Sequence, residues 1–184
     1  KPSASLGQQL AEGTPLMAWL ENFIPVFVDV FTERLARYME IAEVDQLKRR
    51  FSEDEFNKLV VRRVRRRFPG QVTNVKTKIT KEGFIGSGKV RLGILTFPVE
   101  ARVGILVKNE RPTVQIHEIK VGKLAIPEFL RKVLETRVNL AIKGSKYPLR
   151  VKEYKLENGY AYISVRLVKP RATTESSRER RVIR

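Results

Sequence analysis

The sequence contains no cysteine, a single histidine and only three aspartates in 184 residues. Without thiols there is no disulfide framework, no thiolate zinc site and no cysteine nucleophile. The compartment stays open, because a cysteine-free chain is stable on either side of a membrane. No stretch of about 18 uncharged apolar residues occurs, so no transmembrane helix is expected. The dinucleotide, P-loop and zinc-protease signatures are all missing, and Gly86-Ser87-Gly88 is too short and isolated to read as a phosphate loop. His117 has only Glu118 beside it, and a strand would place those two on opposite faces. The carboxylates sit mostly at helix starts, i/i+4 positions and turns, not as pairs whose environments would separate their pKa values. The sequence therefore predicts a binding protein rather than an enzyme, with no catalytic residue, metal or cofactor.

Positive charge is present in excess. Lys and Arg number 37 against 20 Asp and Glu, a formal net charge of +17, while the apolar fraction is an ordinary 42%. Such a field attracts polyanions: nucleic acid, anionic lipid head groups or an acidic protein. The chain begins with Lys1 rather than Met, which leaves room for a leader or anchor ahead of it.

Four segments are expected. Residues 1–13 are small and polar and read as a flexible lead-in. Residues 14–50 carry an N-terminal amphipathic helix that opens at Thr14-Pro15 and should kink or split at Pro25. Residues 51–168 form an α+β unit. In it Ser52-Glu53-Asp54-Glu55 is a capping box, and the helix it starts ends near Phe68-Pro69-Gly70. Alternating segments then run over 72–80, 86–97, 98–108 and 113–121, the last with a phase slip between Ile116 and Ile119 that predicts a bulge. A helix over 128–142 follows, then a hairpin turning at Asn158-Gly159. Residues 169–184 are polar and basic, a composition expected to be disordered. The predicted fold is α+β: a curved antiparallel meander and a C-terminal hairpin wrapped against helices.

The sharpest local feature is basic. Arg62, Arg63, Arg65, Arg66 and Arg67 put five guanidinium groups into six residues. Around the helix, Phe56, Leu59 and Val60 form the inward stripe, and Arg63 and Arg67 fall back toward it. Two readings are open. These arginines, with Arg62 and Arg66, hold an anionic head group at the mouth of an apolar groove; or the helix simply leaves the core and their stems snorkel. The apolar N-terminal helix is equally open, with Trp19, Phe23, Phe27 and Phe31 facing a membrane, a protein partner or their own domain. Nucleic acid is the less favoured partner, because the aromatics are not interleaved with cations as base-stacking platforms are.

The order of elements resembles the tubular lipid-binding (TULIP-like) proteins of the bacterial envelope, the LmeA-like phospholipid-binding family. A capped helix, SEDEFNKLV, leads into strands. Gly122, Leu124, Ile126 and Pro127 match the turn before the second helix, and Asn158-Gly159-Tyr160-Ala161-Tyr162-Ile163 matches the closing strand pair. The likeness covers residues 52–168; the heavy positive charge departs from it. It implies a sheet closing over helices around an acyl-chain groove, in a membrane-associated protein on the extracytoplasmic side of a bacterial envelope. The expected lining is Phe56, Leu59, Val60, Val99, Val103, Ile105, Ile116 and Leu130, with phospholipid or another acyl-chain ligand inside and an anionic membrane surface outside. Other classes of reading are a structural or assembly subunit docking through residues 14–40 and its basic surface, and a nucleic-acid binder.

Overall fold

The computed structural model describes residues 14–143 and 149–168. The expected lead-in over 1–13 and the basic tail over 169–184 lie outside the described residues. The rest is α+β. Two antiparallel sheets and the helices share one continuous apolar core.

The N-terminal helix is split where Pro25 removes a donor. Helix α1 spans Pro15–Phe23 and α2 spans Val26–Ala42, and α2 ends on Glu43 in the left-handed region. Strand β1, Gln46–Ser52, follows directly. It was hidden in the sequence because Arg49 occupies an inward position between Leu47 and Phe51. The guanidinium stacks on the rings of Tyr38 at 4.3 Å and Phe51 at 4.5 Å and pairs with Glu55. The expected boundary after residue 50 is therefore corrected: it falls inside a strand, and the helices before it share the core of the strands after it.

Helix α3, Glu53–Arg67, starts on its capping serine, with Ser52 Oγ accepting from the Glu55 amide at 3.1 Å, while the Glu55 carboxylate pairs with Arg49. Strands β2, Val72–Thr80, β3, Gly83–Leu92, β4, Leu95–Lys108, and β5, Arg111–Val121, form a meander, joined at its end by the two residues of β6, Leu124–Ala125. The β3–β4 turn falls at Gly93-Ile94, where Gly93 has φ +65°, rather than after Phe97 as the sequence reading placed it. The bulge expected near Ile116 is real: Arg102 pairs with Glu118 and Val103 with Ile116, which leaves His117 unpaired. Its ring lies over Gly104, where a Cβ would come within 2.6 Å of Nε2. Helix α4, Glu128–Lys143, precedes the hairpin of β7, Leu149–Glu157, and β8, Tyr160–Leu167, which turns on Gly159 at φ +86°. With β1 this hairpin makes the second sheet, in the order β1-β8-β7.

Edge strands expose unpaired amides, and helices cover both long edges of the larger sheet. On α3, Glu53 Oε1 accepts from the Ile79 amide and Asn57 Oδ1 from the Thr77 amide, each at 2.9 Å. On α4, Asn139 Oδ1 accepts from the Val114 amide at 2.8 Å while its Nδ2 donates to the Val114 carbonyl, and Glu135 accepts from Ile116. The same Glu-x-x-x-Asn spacing thus fastens each helix to its strand, because residues four apart share a helix face.

Candidate functional site: an apolar cavity and a separate arginine cleft

The groove expected beneath α3 is closed. Phe56, Val60, Val99, Val103, Ile116 and Leu130 are buried core residues, and rings from α2 pack against Phe56. The Phe31 ring stacks on Phe56 at 4.6 Å between centroids and 8° between planes. Phe84 lies 5.1 Å and Phe27 6.2 Å from Phe56. Gly86 leaves room for the Phe27 ring, since a Cβ there would lie 2.3 Å from Cζ.

The outward reading of the N-terminal aromatics is corrected by the same packing. Trp19, Phe23, Phe27 and Phe31 are no more than 5% exposed. Trp19 stacks on Phe23 at 4.5 Å and touches Phe68, and Phe23 meets Phe27 edge-on. Their apolar stripe is spent on their own domain, which leaves these rings no contact area for a membrane or a partner.

An open apolar space lies farther along α2. A cavity of about 270 Å³ is walled by Val28, Phe31 and Leu35 of α2, Ile105 and Val107 of β4, and Val151, Ile163 and Val165 of the β7–β8 hairpin, with Ile142 from α4. Of the eight expected lining residues only Ile105 belongs to it. Its polar border is cationic, with Arg111, Arg150 and Lys143. Two further side chains are spoken for: Thr32 Oγ1 donates back to the Val28 and Asp29 carbonyls, and the Glu110 carboxylate beside Arg111 is held by Arg166 at 2.5 Å. That hydrogen bond keeps the Glu110 carboxyl below its ordinary range. The Tyr154 hydroxyl is buried without a hydrogen-bond partner, and burial pushes its pKa up, so the phenol stays neutral. A recess of about 850 Å³ near the β2–β3 turn mixes Lys81, Glu82, Arg102, His117 and Glu118 with Phe84, Ile85 and Val103, so its wall is less uniformly apolar than that of the cavity.

Asp29 is the sole carboxylate lining the cavity. Burial raises its pKa above 3.8, and the charges of Arg63 and Arg67 partly oppose that shift. A raised folded-state value means that folding favours the protonated acid. This contribution is complete below pH 3.8 and is lost as the pH climbs through the higher folded-state value. Asp29→Asn is therefore expected to be more stable than the parent at pH 7 and to show a flatter stability profile on the acid side. Urea midpoints across that range check this; an Asn variant that is less stable at pH 7 would contradict it.

The arginines do not border the cavity. Arg63 pairs with Glu33 of α2. Arg67 is exposed, donates to Asn22 Oδ1 at 3.4 Å and lies over the Phe68 ring. Arg62, Arg63 and Arg66 line a recess of about 60 Å³ between α2 and α3, together with Leu59, Val30, Arg34 and Arg37. The expected head-group set at the groove mouth is thus corrected: Arg62, Arg63 and Arg66 gather at a second place, Arg67 lies apart from them, and Arg111, Arg150 and Lys143 stand at the apolar opening instead. Among the described residues no group of three or more His, Cys, Asp or Glu is placed to hold a metal, and no helix is long and apolar enough to cross a membrane. Compared with protein-family models and with curated protein sequences, the chain matches none.

Proposed function

We propose that this protein is a non-enzymatic carrier or sensor of a single acyl chain, bound in the cavity between α2, β4 and the β7–β8 hairpin. The observation that carries the reading is the apolar wall around unfilled space. Protein interiors are packed to crystal-like density, and an apolar void of this size forfeits dispersion contacts that a guest restores. At about 270 Å³ the space lies near the lower end of small-ligand sites, which run to about 300–1,000 Å³. It suits one chain rather than the paired tails of a whole phospholipid. Each methylene drawn in from water contributes about 0.8 kcal/mol. Arg111, Arg150 and Lys143 offer charge to a carboxylate or phosphate end. The order of capped helix, meander, helix and hairpin supports a place near the tubular lipid-binding proteins, and with it a membrane-associated role in a bacterial envelope.

Organic extraction of the purified protein followed by mass spectrometry, together with titration of the delipidated protein by a fluorescent fatty acid, tests this. Saturable binding of one probe per chain, displaced by unlabelled fatty acid, is the expected result. A protein that carries no lipid and takes up no probe would overturn it.

A further inference from the structure

Helix α2 has two working faces. At 100° per residue, Val28, Phe31, Thr32 and Leu35, which line the cavity, point about 180° away from Val30, Glu33, Arg34 and Arg37, which line the recess against α3. The recess therefore cannot hold the polar end of a chain seated in the cavity, and its chemistry needs its own explanation.

Five guanidinium groups, Arg34, Arg37, Arg62, Arg63 and Arg66, meet there around one carboxylate, Glu33. Glu33 is engaged by Arg63. Arg34 lies over the Tyr38 ring at 5.0 Å with its NH2 donating to the hydroxyl, and its Nε is buried without any partner. Arg37, Arg62 and Arg66 form no ion pair among the described residues. Like charges gathered on two packed helices repel one another, and nothing in the fold requires arginine at the exposed positions 37, 62 and 66. The recess, about 60 Å³, equals about two waters at roughly 30 Å³ each, a size that admits one small oxyanion and no bulkier group. Guanidinium is the side chain whose paired donors fit the oxygens of such an anion two at a time.

We propose that the α2–α3 cleft is a phosphate-binding site, independent of the acyl cavity. Its donors are Arg34, Arg37, Arg62 and Arg66, and the Glu33–Arg63 pair holds the two helices in register. The phosphate is carried by a lipid head group at a membrane surface or is free in solution; the chemistry is the same, and the assay separates the two.

The test uses the full chain, the double variant Arg37→Gln/Arg66→Gln, and a control that removes equal charge elsewhere, Lys76→Gln/Lys78→Gln on β2. Calorimetric titration with inorganic phosphate and pyrophosphate is expected to saturate at one site on the parent and the lysine control, and to weaken by about tenfold or more in the arginine variant. The unliganded arginine variant should melt no lower than the parent, since repulsion is relieved. Flotation with phosphatidylglycerol and phosphatidylcholine vesicles gives the source. Selective loss of phosphatidylglycerol binding in the arginine variant, with competition by pyrophosphate, assigns a head group. Unchanged flotation alongside lost phosphate titration assigns a free phosphate. An equal loss in both double variants reduces the effect to net charge and overturns the site, as does a parent that binds neither phosphate nor pyrophosphate saturably.

Discussion

Phe56→Ala is expected to lose about 3–5 kcal/mol of folding stability, the range for removing a fully buried phenyl ring. The size follows from where the ring stands. Phe56 is completely buried and is the one side chain of α3 that meets aromatic rings from three directions: Phe31 and Phe27 from α2, and Phe84 from β3. Truncation removes the transfer free energy of the ring and leaves a hole bounded by a helix pair and a sheet, elements that cannot close in without breaking their own packing. It also strips α2 of its stacking partner. A loss of this size is a large part of the whole stability of an ordinary domain. Phe129→Ala, at a ring 66% exposed, should change stability by less than about 0.5 kcal/mol. Guanidinium unfolding of both variants and the parent measures the contrast. A Phe56→Ala loss below about 1 kcal/mol would mean that α2 is not seated on α3 as described.

The same cluster shows what the sequence reveals and what it hides. Local signals were legible because their chemistry acts within a few residues. Pro25 splits the first helix, Ser52 caps α3, the phase slip at Ile116–Ile119 marks the His117 bulge, and Gly159 turns the last hairpin. Strand β1 was missed since an inward arginine breaks the apolar alternation, and only Tyr38 on α2 and Glu55 on α3 explain how its charge is accommodated. Both edge-covering Glu-x-x-x-Asn pairs stand in plain sight in α3 and α4. Their partners, backbone amides some twenty residues away, do not.

The site was legible in kind but not in place. An apolar stripe predicts burial, not the neighbour it is buried against. Phe27 and Phe31 were free to face a membrane until Gly86 and Phe56 were seen to receive them. The arginines of α3 were expected at an apolar mouth because helix periodicity places Arg63 beside the inward stripe. That a glutamate thirty residues earlier would claim it depends on how α2 crosses α3, which periodicity does not encode. The cationic recess and the apolar cavity lie on opposite faces of one helix, so neither explains the other.

That separation makes the cavity testable by filling it. Val165→Trp enlarges the wall formed by the β7–β8 hairpin, and Ile105→Trp the facing wall on β4, both residues lining the space. Each is expected to lower affinity for a fatty-acid probe by about a hundredfold, because keeping about four methylenes in water at ~0.8 kcal/mol each forfeits ~3 kcal/mol. Phosphate titration at the α2–α3 cleft should be unaffected, which separates loss of the cavity from loss of the fold. Stability carries a second reading of the same variants. Inserting bulk into a filled core costs about 1–3 kcal/mol, whereas an indole that enters unoccupied apolar space adds contacts and should leave the unfolding midpoint level or raise it. Val165 is only 2% exposed, so its indole cannot escape to solvent without rebuilding its strand. Tryptophan variants that lose the probe while melting at or above the parent would place the guest in this cavity. Variants that bind as before would put it elsewhere, and those that unfold would show the space to be closed by side-chain packing in solution.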